Sequence, residues 1–385
     1  MGRKLIIIIL SLGIFSCSEN KDLRIVRGYM DEIRMEFAPD KRTALFDILI
    51  ENGDGLTLKG ETNLPMAKAE LIKKIRQNHI DVIDEIKVLP NEKGEKKYAL
   101  INVSVANLRS NPKHSAELVT QAILGTPVYV LKNVNGWYLV QTPDKYISWT
   151  NGGSIVLLDE KGLENWKSNP KIIYLKTTGF SMNEMLSQRV SDLVAGNILV
   201  LDHENDEYWS VIYPDGRKAL VMKNEAELLR SWNEELTITE SSISQTAKKL
   251  MGAPYLWGGT STKGLDCSGF TKTVYFLHGM ILPRDASQQV HVGELVDKEK
   301  DFTKLQVGDL LFFGRKNEAN QSEKVVHVGL WLGNNQFIHA SGDVHISSLD
   351  SLDENFDQYN YNRYLRSKRI IGDNSGFIPT IQEIY

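Results

Sequence analysis

Three residues carry the chemistry that can be read directly from this chain: Cys267, His327 and His339. Forward from Asp266, the apolar residues Phe270, Val274 and Leu277 recur at the i, i+4, i+7 spacing of a helix face. Asp266 is an N-cap residue type placed just before that run, so Cys267 falls in the first helical turn. A thiol of ordinary pKa, near ~8.5, is only a few per cent ionised at neutral pH. The positive end of a helix and a neighbouring imidazolium both favour the thiolate, so this position predicts an activated nucleophile.

Around His327, the apolar residues Val326, Val328, Leu330 and Leu332 alternate with Val325, His327, Gly329 and Trp331, which is the period of a strand. Gly333-Asn334-Asn335 signals a turn, and residues 336–340 read as the return strand. His327 and His339 are 12 positions apart; with a three-residue loop both side chains face the same side of the sheet. His327 would then take the proton of Cys267 while His339 fixes its tautomer, the arrangement of a thiol peptidase. His79, His114, His203, His278, His291 and His345 lack such a setting and receive no role.

Several motifs around these residues make the region resemble the NlpC family of cell-wall cysteine peptidases, which have a papain-like fold. They are Pro254-Tyr255-Leu256-Trp257-Gly258-Gly259, Asp266-Cys267-Ser268-Gly269-Phe270, Leu282-Pro283-Arg284-Asp285-Ala286-Ser287-Gln288-Gln289, Gly308-Asp309-Leu310 and His327-Val328-Gly329. The likeness runs from about residue 243 to about 372. It implies Cys267 as nucleophile, His327 as base, His339 as third polar residue and the Tyr255 hydroxyl as an oxyanion donor, the task of a preorganised group beside the nucleophile. Trp257 reads equally as a core aromatic or as a substrate contact. No metal or other cofactor is expected, since neither CxxC pairs nor a His-rich helix offers ligands.

Composition is that of a globular chain: 385 residues, 42% hydrophobic, 24% charged and a formal net charge of −4, with no basic bias calling for nucleic acid. At the start, Arg3-Lys4 precede 11 mostly apolar residues ending at Phe15. As a helix that run would span about 16 Å, too short for a ~30 Å hydrocarbon core, so it reads as an export signal. Ile14-Phe15-Ser16-Cys17 resembles a bacterial lipobox, which implies lipidation at Cys17 and an exported protein held on a membrane of the cell envelope, facing the periplasm. Cys17 and Cys267 are the only cysteines, so the catalytic thiol has no disulfide partner.

The expected organisation is multidomain: a lipoprotein signal over 1–17, a small α/β module over 18–97, two SH3-like β-barrels over 98–160 and 161–240, and the α+β papain-like catalytic domain over 241–385. Strands are expected at 44–51 and 56–61 and a helix at 66–78, with the charge run 91–97 as a boundary. Turn signals such as Asn135-Gly136 and Pro143-Asp144 separate short apolar runs across the first barrel. Asn107-Leu108-Arg109, Gly125-Thr126-Pro127 and Gly136-Trp137 resemble the bacterial SH3-like barrel. Gly196-Asn197, Tyr208-Trp209 and Asp215-Gly216 are spaced similarly in the second.

This three-part layout resembles, within the NlpC family, the γ-D-glutamyl-L-diamino acid endopeptidases, which require a free N-terminal L-alanine. The resemblance implies murein peptides of the form L-Ala-γ-D-Glu-diamino acid as substrate. It makes Glu117 the acid by which the first barrel closes one end of the cleft, with Tyr146 as its neighbour and Asp266 sharing the ammonium. Ser268, Asp285 and Ser287 are further candidates for substrate contact. A carboxylate at a closed cleft end pairs with an ammonium and rejects chains that continue past it. Two other readings compete: an amidase or acyltransferase on the same scaffold, and a non-catalytic wall-binding lipoprotein in which the barrels act alone.

Overall fold

The computed structural model describes residues 21–90, 96–317, 319, 321–373 and 376–385. The export signal with Cys17, and most of the 91–97 charge run, lie outside the described residues. The chain divides into two compact units, one ending at Val88 and one beginning at Leu89. The first unit therefore stops short of the expected boundary at 97.

In that first unit, strands Phe46–Asn52 and Leu56–Thr62 pair antiparallel, and Leu56–Thr62 pairs parallel with Val82–Val88. The parallel pair needs a crossover, supplied by helix Pro65–Gln77. A helix not anticipated from the sequence, Lys21–Phe37, buries Leu23, Val26, Met30 and Ile33. Their spacing is helical, so the signal was present.

The second unit holds three large sheets and a two-stranded one that pairs Thr260–Ser261 with Gly264–Leu265. A seven-stranded antiparallel sheet runs from Tyr98–Ile101 to Ile155–Leu158, with Asn135 and Gly136 at positive φ in its tightest hairpin, as an Asn-Gly turn requires. After helix Glu160–Ser168, a second seven-stranded sheet runs from Lys171–Tyr174 to Ala226–Leu228. The third sheet has six antiparallel strands in the order Glu294–Asp297, Tyr364–Arg369, Leu310–Lys316, Glu323–Gly333, Gln336–Ser341, Asp343–Ser348. Helix Cys267–Phe276 lies on this sheet, where Phe270 and Val274 share a core with Val328, Leu330, Ile338 and Ala340. The helix is one residue shorter than the apolar spacing suggested: Leu277 is its C-cap and only half-buried.

The three sheets of this unit are welded together. Leu100 from the first, Ile173 and Ile198 from the second and Ile281 and Ile381 from the third region form one buried cluster with Trp166 and Trp232. Beside it, Lys272 on the cysteine helix pairs with Asp144 of the first sheet at 3.0 Å, the side chains only 14% and 4% exposed. Burial pushes the lysine pKa down and the Asp144 charge pushes it back up. Removing one partner of such a pair strands a charge, whereas replacing both with apolar groups need not destabilise. Asp144→Ala is therefore expected to lower stability by about 3–5 kcal/mol, and Asp144→Leu combined with Lys272→Met by much less. Urea unfolding of the three proteins checks this, and a loss below about 1 kcal/mol for the single variant would show that the pair is not a weld.

Candidate active site

Cys267 is the first residue of its helix and only 9% exposed. Asp266 caps the helix, its Oδ1 accepting the Gly269 N–H at 2.7 Å. The helix can start here because Gly269 has no side chain: a Cβ would lie 1.9 Å from the Gly259 carbonyl oxygen. That contact presses the nucleophile's helix onto the loop carrying Tyr255 and Trp257.

The two histidines do share a face, by a different construction from the one expected. The turn has two residues, Asn334 and Asn335, both at positive φ, and a β-bulge falls between Trp331 and Gly333. A two-residue turn alone would have put His327 and His339 on opposite faces; the extra residue at Leu332 restores the parity. His327 Nε2 then meets His339 Nδ1 at 2.8 Å, and His339 Nε2 meets Ser347 Oγ at 3.0 Å. Gly329 makes space between them, since a Cβ there would lie 2.7 Å from the Phe337 ring and 3.3 Å from the His339 Cβ.

The base strand meets Cys267 at Val328, whose backbone, like that of Ser268, favours the thiolate. Burial, with the neighbouring Asp266 charge, nevertheless pushes the thiol up to about 11. Burial likewise pushes His327 down to about 4, aided by the Arg363 charge, and His339 down to about 2, aided by His327. Burial thus opposes the effect of the helix end at this sulfur and favours a neutral resting pair, thiol and imidazole. Desolvation outweighs the helix end because it acts on the isolated anion. Proton transfer creates both charges together, each supplying the other's counter-ion. Tyr255 is half-buried and its hydroxyl is pushed up to about 12, chiefly by burial and then by Cys267, so it remains a donor at neutral pH.

Around this centre lies a polar network that the sequence reading missed. Arg284, 1% exposed, donates to Asp266 Oδ1 and Oδ2 at 3.1 and 2.5 Å, to Ser268 Oγ at 3.0 Å and to Thr120 Oγ1 of the first sheet at 3.0 Å. Asp266 also accepts from Gly258 N–H at 3.0 Å and from the Ser268 hydroxyl at 3.3 Å. With these bonds and 6% exposure, Asp266 is held by partners within the protein. Ser268, 4% exposed, is spent in the same network. Arg284 stood in a quoted motif, but its identity as a buried hub depends on contacts that spacing does not reveal.

Besides Thr120, the first sheet reaches the site at two further points. Glu117 is exposed and its Oε1 accepts the Trp257 indole N–H at 2.8 Å. Trp257 is itself 63% exposed, which rules out the core reading. Tyr146 is buried and donates its hydroxyl to Asp285 Oδ2 at 3.3 Å. Ser287 lines a hollow with Val290, His291 and Val325, two positions before His327. The other histidines stay apart: His278 is buried with Nδ1 on the Val274 carbonyl at 2.8 Å, and His291 is exposed. His345 alone joins the site, its ring 4.6 Å from that of His339.

Comparison with known proteins agrees with this geometry. Residues 252–366 match the model of the NlpC/P60 family and residues 104–156 that of the bacterial SH3 domain. The chain is 32% identical over 233 residues to a γ-D-glutamyl-L-lysine dipeptidyl-peptidase of Bacillus cereus, covering 58% of this chain and 67% of that protein. The chain belongs to the NlpC/P60 family. It is also 29% identical over 264 residues to dipeptidyl-peptidase 6 of Lysinibacillus sphaericus, covering 66% of this chain and 92% of that one. The crystal structure of an NlpC/P60 family protein from Bacillus cereus superposes with a TM-score of 0.60 at 27% identity, over 71% of this chain and 99% of the other. Tyr255, Cys267, His327 and His339 fall inside the NlpC/P60 match, and Glu117 and Tyr146 inside the SH3 match.

The buried neutral groups of this NlpC/P60 site make stability pH-dependent from both sides. His327 and His339 titrate lower in the folded chain than in the unfolded one, so their contribution is full above about pH 6.5 and is lost as pH falls toward 4. Cys267 titrates higher when folded, so its contribution is full below about pH 9 and is lost as pH rises toward 11. At about 1.4 kcal/mol per pKa unit, the acid arm from His327 is on the order of 3–4 kcal/mol. Urea unfolding across pH should show a plateau between these arms, with His327→Gln flattening the acid arm and Cys267→Ala the alkaline one. Unchanged slopes in both variants would contradict the neutral resting pair.

Proposed function

We propose that this chain is a cysteine endopeptidase that hydrolyses the γ-D-Glu–diamino acid bond of murein peptides with a free N-terminal L-alanine. At the coarser level, a peptidase acting on peptidoglycan peptides is supported by the family and by the names of the relatives. The observation that carries the finer reading is the Trp257–Glu117 hydrogen bond. It holds a carboxylate of the SH3 domain against Trp257, two residues from Tyr255. An acid there pairs with the ammonium of a chain end and leaves no exit for a peptide that continues.

In this reading the thiol proton of Cys267 passes to His327 as the sulfur attacks the γ-carbonyl carbon. The Tyr255 hydroxyl and backbone N–H groups hold the resulting oxyanion. His327, now protonated, delivers its proton to the departing α-amine of the diamino acid, leaving an alanyl-γ-glutamyl thioester. Water, deprotonated by the neutral His327, hydrolyses the thioester and restores the thiol. Trp257 fixes the Glu117 carboxylate and, being exposed, offers a ring face to the first substrate residue. The Tyr146–Asp285 pair borders the same end. The second seven-stranded sheet serves as another SH3-like domain that stiffens the cleft, and Cys17 carries a lipid that holds the exported enzyme on an envelope membrane.

A complete Cys267–His327–His339 set argues against a non-catalytic wall binder, and the Glu117 wall against an amidase or acyltransferase, which has no need of an ammonium site. Cys267→Ala should abolish turnover with the fold intact. Acetylating the alanine amine should nearly eliminate cleavage, and Glu117→Gln should lose most activity on the free peptide. The two losses should be non-additive, as for direct partners, each costing a few kcal/mol for a charge left unpaired in a closed cleft. Chromatography of products from free and acetylated tripeptides measures this. Equal rates on both would reduce the SH3 domain to an accessory.

The anchor has its own test. Wild-type protein should partition into detergent and Cys17→Ser should not, and a mature N-terminus beyond Cys17 would overturn the lipidation while leaving the enzymology in place.

A further inference from the structure

The hydrogen bonds behind His327 do not end at His339. His339 and His345 are directly opposed across the pairing of Gln336–Ser341 with Asp343–Ser348. Ser347 lies two positions beyond His345 and so on the same face. Its hydroxyl, on a residue 6% exposed, stands 3.0 Å from His339 Nε2, and His339 is 1% exposed. His345 packs its ring against His339 and directs its Nδ1 at Asp343 Oδ1, 2.8 Å away.

Proton bookkeeping along this chain gives it a direction. His327 Nε2 is occupied by His339, so Nδ1 is the nitrogen left to take the thiol proton. For Nδ1 to be a bare acceptor, the single proton of neutral His327 must sit on Nε2 and point at His339 Nδ1. His339 Nδ1 must then be bare, its own proton on Nε2, and Ser347 Oγ must accept that proton in a hydrogen bond. In the opposite polarity Ser347 donates to Nε2, His339 Nδ1–H donates to His327 Nε2, and His327 presents an N–H to the thiol. The same atoms then make a site with no base. A carboxylate or amide oxygen in the third position would accept from His327 whatever lay behind it. A histidine does so only in one tautomer, and only while neutral, the state in which burial holds His339.

We propose that Ser347 is a positioning residue that selects the productive tautomer of His339, and through it that of His327, by accepting the His339 Nε2–H. This rests on the thiol-peptidase reading of Cys267 and His327. Without the hydroxyl, the Nε2–H of His339 is buried with no acceptor, and the ring gains by moving its proton to Nδ1 and inverting the chain.

The test pairs turnover with a direct readout of tautomers. In protein carrying ¹⁵N-labelled histidine, the ring-nitrogen shifts of the wild type should show His339 and His327 each protonated at Nε2, and Ser347→Ala should move His339 toward the Nδ1–H form. With free-amine tripeptide, Ser347→Ala should lower kcat at least 10-fold with KM little changed, and Ser347→Thr should restore most of it. In a His339→Asn background, whose amide oxygen needs no such support, adding Ser347→Ala should cost less than 2-fold. Wild-type shifts showing His339 protonated at Nδ1 would overturn the proposal without reference to activity. So would an equal loss from Ser347→Ala in both backgrounds, which marks a merely structural residue. Failure of the underlying reading looks different: turnover would then survive Cys267→Ala whatever the tautomers.

Discussion

The interaction on which this active site depends is the buried pairing of Arg284 with Asp266. A guanidinium that is 1% exposed is tolerable only if a carboxylate answers its charge and further acceptors take its remaining N–H groups. Here those acceptors are Ser268, beside the nucleophile, and Thr120 of the first sheet. The carboxylate in turn is the N-cap that starts the cysteine helix, and it accepts from Gly258 in the loop between Trp257 and Gly259. One ion pair thus fixes the origin of the nucleophile's helix, the loop that carries Tyr255, and the approach of the SH3 domain that brings Glu117. Loosening it would move all three together, and displacement of about 1 Å is enough to cost a catalytic geometry much of its rate.

The electrostatics follow from the same burial. Desolvation favours the uncharged forms of Cys267 and His327. The proposed specificity elements lie where water still reaches: Glu117 and Trp257 are exposed while Cys267 and His339 are buried. In the proposed reaction, recognition of a charged chain end takes place at the rim and charge separation takes place inside. The welded junction of the three sheets, with its buried Asp144–Lys272 pair, keeps rim and interior in register.

Much of this was legible in the sequence, and the gaps have physical causes. The helix beginning at Cys267, the strand of His327, the Asn-Gly hairpin and the placement of Glu117 beside the nucleophile's loop were all readable from spacing or resemblance. The shared face of the two histidines was expected from parity, although a bulge at Leu332 and not a longer loop supplies it. Helix Lys21–Phe37 was overlooked despite its buried stripe. Arg284 was assigned no role because its contacts join segments distant in sequence, and Ser347 because its bond to His339 crosses a hairpin whose register spacing alone did not give. The desolvation that opposes the thiolate was not legible because helix position is local information, whereas desolvation is a property of everything packed around the sulfur.

The central claim is that acyl transfer runs through Cys267 on a peptide whose amine end is held by the SH3 domain. Acid quenching of the enzyme during turnover of free-amine L-Ala-γ-D-Glu-diamino acid peptide, followed by peptide mapping in a mass spectrometer, tests it most directly. The account predicts a thioester carrying the alanyl-γ-glutamyl group on the peptide containing Cys267 and on no other. Turnover with no acyl group on Cys267, or with the group on a different residue, would contradict it.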